Sequence, residues 1–191
     1  MNKKLVILIL LVALMVALVS GASALYDKLG SQVDTQQLAT QPPTEAADET
    51  VGELPFAPDF TVYDKEGNPV KLTDYIGKPI VLNCWASWCG PCQSEMPDFE
   101  EKYQELGQGI HFLMVNMTDG SRETVEIASG FIQEKGYTFP VFYDTDQDVA
   151  VTYGVYSLPT TFFIDAQGHA VAQATGAIDA ATLQKGIDMI S

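Results

Sequence analysis

The hydrophobic pattern of this chain changes period at Cys89-Gly90-Pro91-Cys92. Upstream, Pro79-Ile80-Val81-Leu82-Asn83-Cys84-Trp85 is a nearly unbroken apolar run, the pattern of a central strand covered on both faces. Downstream, Met96, Phe99, Tyr103 and Leu106 recur at helical spacing and stop at Gly107. The two cysteines therefore stand where a buried strand runs into a helix.

The junction carries a chemistry of its own. A Cys89 sulfur at the helix N-cap faces unpaired backbone N–H groups and the positive end of the macrodipole, both of which favour a thiolate. Thiol pKa values in such settings fall from about 8.5 to roughly 3.5–7.5. Cys92, one turn further in, is near enough to close a disulfide and less exposed. Cys89 is thus expected to attack a partner's disulfide and Cys92 to resolve the mixed disulfide. Pro91 lacks an N–H that the first helical turn leaves unbonded anyway. Gly90 leaves the sulfur open to a bulky protein partner.

Competing readings of these residues are weaker. A zinc site needs two more ligands, and only Cys84, His111 and His169 are on offer, at no ligand spacing. No metal is expected. Cys84 lies on the apolar strand without a charged neighbour and reads as a packing thiol, with a third redox cysteine as the alternative. Asp144-x-Asp146-x-Asp148 starts like a calcium loop, but Val149 and Val155 replace the glycine and glutamate that such a loop requires. These acids read as a turn and a helix N-cap.

The remaining chain divides into three parts. Residues 1–25 begin with Lys3 and Lys4 before a run, Leu5–Val19, that has no polar side chain. Taken to Leu25, the run is about 30 Å of helix, enough to span a bilayer with the N-terminus inside. Ala22-Ser23-Ala24 also reads as a cleavage site, which would release the chain after Ala24. Tyr26 and Lys28 suit an outer membrane interface and favour the anchored form. Either way the rest is expected outside the cytoplasm, and no cysteine follows the run to carry a lipid. Residues 26–54, poor in large apolar groups, read as a flexible acidic and polar tether.

Residues 55–191 read as one folded domain. Phe60–Tyr63 and Val70–Leu72 flank turn residues as a β-hairpin. Strands follow at His111–Val115, Val141–Tyr143, Thr161–Asp165 and Ala170–Ala174, the last two joined around Gln167-Gly168. Helices are expected at Ser121–Lys135, Asp146–Tyr153 and Asp179–Ile190. Strands alternating with helices imply an α/β sandwich on a central mixed, largely parallel sheet. After Leu25 the chain holds 8 basic residues against 25 acidic ones, a net charge of −17. That charge argues against nucleic acid and anionic lipid surfaces as partners.

Trp85-Ala86-Ser87-Trp88-Cys89-Gly90-Pro91-Cys92 resembles the thioredoxin active site almost letter for letter, and Leu158-Pro159-Thr160-Thr161-Phe162 resembles that fold's cis-proline loop. Pro97 matches the proline inside the family's active-site helix. Asp59-Phe60-Thr61, the added helix and strand at 121–143, and Asp144–Val155 resemble the exported, membrane-tethered TlpA/ResA branch. The resemblance implies a thioredoxin fold with an N-terminal hairpin and an inserted helix–strand unit, acting as a monomer on exported protein disulfides. It implies a CcdA/DsbD-type membrane electron donor and no bound cofactor. It places Pro159 beside Cys89, where it orients the substrate backbone, and packs Trp88 beside the dithiol. Two departures stand out. Asn83 replaces the buried aspartate of thioredoxin, and Gly90 stands where ResA proteins carry a glutamate. Glu95, one turn beyond Cys92, either supplies a nearby carboxylate or is a charge on the helix surface.

The Gly-Pro dipeptide bears on the direction of electron flow. It matches thioredoxin, at about −270 mV, rather than the oxidant DsbA at about −120 mV, a gap of more than about 5 kcal/mol. A reductase, with apocytochrome c among the candidate substrates, is the expected activity. An oxidase or isomerase is the alternative. A peroxiredoxin-like peroxidase fits less well, lacking its Pro- and Thr-rich loop, and copper delivery wants wider cysteine spacing.

Overall fold

A computed structural model describes residues 54–191. The expected membrane segment (1–25) and nearly all of the tether (26–54) lie outside the described residues. Among those described, no helix is long and apolar enough to cross a membrane.

Seven strands form one sheet. They are β1 (Thr61–Tyr63), β2 (Pro69–Lys71), β3 (Ile80–Trp85), β4 (His111–Asn116), β5 (Val141–Tyr143), β6 (Thr160–Ile164) and β7 (Ala170–Thr175). Their spatial order is β2-β1-β5-β4-β3-β6-β7. The helices are α1 (Gly90–Leu106), α2 (Val125–Lys135), α3 (Asp148–Thr152) and α4 (Ala180–Ile190). This is the thioredoxin-like α/β fold, with the expected N-terminal hairpin and the α2–β5 unit. The sheet is mixed, and its parallel part is confined to β3, β4 and β5; β6, β7, β1 and β2 all join antiparallel.

β3 is the central strand, and all six of its residues are buried. Its side chains alternate between two core layers, because successive Cβ atoms point to opposite faces. Ile80, Leu82 and Cys84 face a layer with Leu113, Val115, Phe142, Val149 and Phe162. Val81 and Trp85 face the layer that holds Met96, Phe99, Phe112, Phe163 and Ile187. Each such side chain contributes roughly 1.5–3 kcal/mol on leaving water. Asn83 is the polar exception on that second face.

α1 buries Cys92, Glu95, Met96 and Phe99, the i, i+3, i+4, i+7 stripe of a helix lying on a sheet. Pro97 stands inside the helix, on its exposed side. α4 starts as expected, with Asp179 capping the Thr182 N–H at 2.8 Å.

Two helices are shorter than the sequence pattern predicts. α2 begins at Val125 rather than Ser121, because Asp119 Oδ1 accepts the N–H groups of Ser121 and Glu123 and holds residues 119–123 in a turn. Thr124 then caps the helix, and Gly136 ends it in the left-handed conformation (φ 72°) that glycine adopts freely. α3 begins at Asp148 rather than Asp146. The N-cap is Gln147 rather than one of the acids, and the buried Asp144 carboxyl, three residues before it, accepts the N–H groups of Val149 (3.1 Å) and Ala150 (2.9 Å). Asp146 and Asp148 bind the Tyr63 hydroxyl and the Thr61 N–H, tying α3 to the hairpin.

Candidate active site

Cys89 and Cys92 form a disulfide, with Cα atoms 5.2 Å apart. Cys89 occupies the N-cap of α1, and its sulfur accepts the Cys92 N–H at 3.2 Å. The same helix end that receives this bond favours negative charge on the sulfur once the disulfide opens. Cys89 is 4% exposed and lines an open groove of about 560 Å³, whereas Cys92 is 0% exposed, faces the core and does not line the groove. Gly90 and Pro91 form the rim. A Cβ added at Gly90 meets nothing within 4 Å beyond its own turn of chain, so this glycine is not relieving a crowded backbone.

The Leu158–Pro159 peptide is cis, and Leu158 lines the same groove as Cys89. Trp88 stands beside the disulfide, 43% exposed, with the Arg122 guanidinium carbon 3.8 Å from its ring centroid. Cys84 is a free, fully buried thiol in the opposite core layer, and burial pushes its pKa upward. That placement suits packing and leaves it far from thiolate character.

Beneath the dithiol, Asn83 and Glu95 meet. The Asn83 amide donates to Glu95 Oε1 and to Thr161 Oγ1, each at 2.9 Å. Glu95 Oε2 accepts the Ile178 N–H, also at 2.9 Å. Glu95 is therefore not a surface charge; it is 2% exposed, in the α1 stripe one turn past Cys92. Burial raises its pKa to about 7, against the opposing pull of the Ile178 and Asn83 hydrogen bonds. Asn83 Oδ1 is buried without a partner among the described residues. The site thus holds a carboxyl group able to gain or lose a proton near neutrality, next to an amide with a vacant acceptor.

Sequence reasoning missed another buried carboxyl, on the loop side of the site. Glu123 is fully buried, and its two oxygens accept the Ser87 N–H (2.7 Å), the Ser87 hydroxyl (2.6 Å) and the Asn116 amide (2.6 Å). It clamps the loop that leads from β3 to Cys89 onto the turn before α2. Asp119-Gly120 announces that turn, and Arg122 is the only arginine in the chain, but the partners are remote in sequence.

The AhpC/TSA family model matches residues 55–173. The thiol-disulfide oxidoreductase ResA of Geobacillus thermodenitrificans is 38% identical over 135 residues, covering 70% of this chain and 75% of that protein. ResA of Bacillus subtilis is 34% identical over 146 residues, 76% of this chain and 79% of its own length. A DsbF homologue from Corynebacterium diphtheriae superposes with a TM-score of 0.63 at 28% identity, over 78% of this chain and 98% of that one. With a disulfide at the helix start and this fold around it, the chain belongs to the AhpC/TSA family and, within it, to the ResA-like thiol-disulfide oxidoreductases.

Proposed function

We propose that the protein reduces disulfides of exported proteins, with Cys89 as nucleophile and Cys92 as resolving thiol. The observation that carries this division of roles is the unequal access of the two sulfurs: Cys89 borders the groove, and Cys92 is sealed behind it. The Cys89 thiolate attacks one sulfur of the substrate disulfide, forming a mixed disulfide and expelling the other substrate sulfur as a thiolate. Cys92 then attacks Cys89, closing the Cys89–Cys92 bond and releasing the second substrate thiolate. Two electrons pass to the substrate. Cys92 must lose its proton to attack, and Glu95, with a pKa near neutrality, is the carboxyl in the buried layer suited to take it. Asn83 holds Glu95 in place. Trp88, Gly90 and Pro91 shape the edge that the substrate meets, and the buried Pro159 sets the cis turn that puts Leu158 in the groove wall.

The segment at 1–25 supports a membrane-anchored enzyme with its domain outside the cytoplasm, or a secreted one if cleavage follows Ala24. Outside the cytoplasm an electron source must lie in the membrane, and a CcdA/DsbD-type dithiol donor meets that need. Cytochrome c maturation is one process that consumes such reducing power.

The test is the reduction potential of the full-length protein in a glutathione titration, with insulin reduction as the activity. A potential near thioredoxin's about −270 mV is expected, and one near about −120 mV would reverse the direction and favour disulfide formation. Cys89→Ser should abolish insulin reduction, and Cys92→Ser should accumulate mixed disulfides. Undiminished turnover by Cys89→Ser would sink the assignment.

A further inference from the structure

Arg122 is the one arginine in a strongly acidic chain, and the fold delivers it to the groove beside Cys89. Its guanidinium carbon sits over Trp88, 3.8 Å from the ring centroid. An aromatic face attracts a cation and restricts its orientation, so the guanidinium is partly ordered before any ligand arrives. The backbone beneath it is fixed as well. Glu123, the next residue, is anchored to Ser87 and Asn116, and Asp119 Oδ1 accepts the Ser121 and Glu123 N–H groups. Asp119 feels the charge of Arg122, but no ion pair within 4.0 Å joins Arg122 to an acid among the described residues.

The rest of the groove is uncharged. Met117, Val155, Leu158 and Tyr156 supply apolar and aromatic surface, with Tyr156 89% exposed, and Arg122 is the only charged side chain in the lining. A cation held ready at the edge of an apolar groove is matched by an apolar segment that carries one carboxylate. A guanidinium fork takes a carboxylate in two parallel hydrogen bonds, which fixes position as well as charge.

We infer that Arg122 is a substrate-selecting residue. It favours protein disulfides whose reacting cysteine has an aspartate or glutamate within a residue or two, the neighbouring apolar side chain packing toward Tyr156. This rests on the reading that the groove beside Cys89 receives a disulfide substrate. It holds for either direction of electron flow, because the same segment occupies the groove in both.

The experiment uses two disulfide-linked peptides of identical composition. In one, a glutamate adjoins the cysteine; in the other, that glutamate is moved to the far end. Equal composition cancels the long-range repulsion between acidic peptides and the acidic domain. Full-length protein in detergent is assayed for kcat/KM with each disulfide peptide. The oxidised protein is assayed in turn with the corresponding peptide thiols. The wild type should prefer the adjacent glutamate by about fivefold, the range of a partly exposed ion pair. Arg122→Gln should bring the ratio to about one, and Arg122→Glu should invert it, with the change carried in KM. A wild-type ratio near one, or a ratio that survives Arg122→Gln, overturns the inference and leaves Arg122 as a prop for Trp88. Absence of turnover in both directions would instead overturn the proposed function, and the selection with it. A measured potential near that of an oxidant would not, because the ratio is then read with the peptide thiols.

Discussion

At the residue scale, Glu95 and Asn83 are coupled through their hydrogen-bonding needs. An ionised Glu95 accepts from Asn83 and from the Ile178 N–H, as the structure shows. A protonated Glu95 must donate once, and Asn83 Oδ1 is the vacant acceptor that a half-turn of the amide brings to it. Aspartate at position 83 has no such donor to offer when charged. The pKa of Glu95 rises from 4.5 to about 7 on folding, chiefly through burial. The native state therefore binds a proton more tightly than the unfolded chain does. Its contribution to stability is complete below about pH 4.5, declines as pH rises through 7, and amounts to on the order of 3 kcal/mol. Glu95→Gln keeps the shape and removes the titration. Urea unfolding of the oxidised protein at pH 5 and pH 8 should show the variant gaining on the wild type by roughly that amount as pH rises. Parallel pH dependences for the two proteins would mean that Glu95 does not titrate in this range.

At the scale of elements, the junction of β3 and α1 was legible because two periods meet at the cysteines. Both apolar strands, β3 and β4, and the stripe of α1 follow directly from that pattern. Glu95 was only half legible. Its spacing from Cys92 and Phe99 puts it inside the stripe, yet its charge argued for the surface. The partner that settles the matter, the Ile178 N–H, lies 83 residues further along the chain. The stretch from Ser121 to Thr124, the end of that turn and the helix cap, was misread as helix for a related reason. Ser121, Arg122 and Glu123 carry no strong local bar to a helix, and the Asp119 carboxylate together with the hydrogen bonds from Ser87 and Asn116 to Glu123 overrides the propensity. Glu123 is the member on which this arrangement depends. Glu123→Ala strands the buried Asn116 amide and two half-buried donors of Ser87, at a cost on the order of 3 kcal/mol, and frees the loop before Cys89. Denaturant unfolding should show that loss, and the Ser87 amide should exchange with solvent much faster than in the wild type. A loss under about 1 kcal/mol, with Ser87 still protected, would remove the clamp from the account.

At the scale of the whole molecule, charge acts over two ranges. Past Leu25 the chain carries a net charge of −17, and its field attracts cationic proteins and repels anionic ones before any contact. That field is cut off by salt, with a Debye length of about 10 Å at 0.1 M. Arg122 acts only on what has already entered the groove. A good substrate on this account is a basic protein with a single carboxylate close to its cysteine, two demands that a net-charge argument alone would set against each other. The long-range part is tested with disulfide peptides differing in net charge at residues remote from the cysteine. From 20 mM to 500 mM salt, amounts chosen to bracket the screening range, kcat/KM should fall several-fold for the cationic peptide, rise for the anionic one and stay level for the neutral one. The preference for an adjacent glutamate should shrink less over the same range, because a contact pair is screened less than charges a Debye length apart. Salt-independent rates for all three peptides would show that the acidic surface does not steer substrates, and would leave recognition to the groove alone.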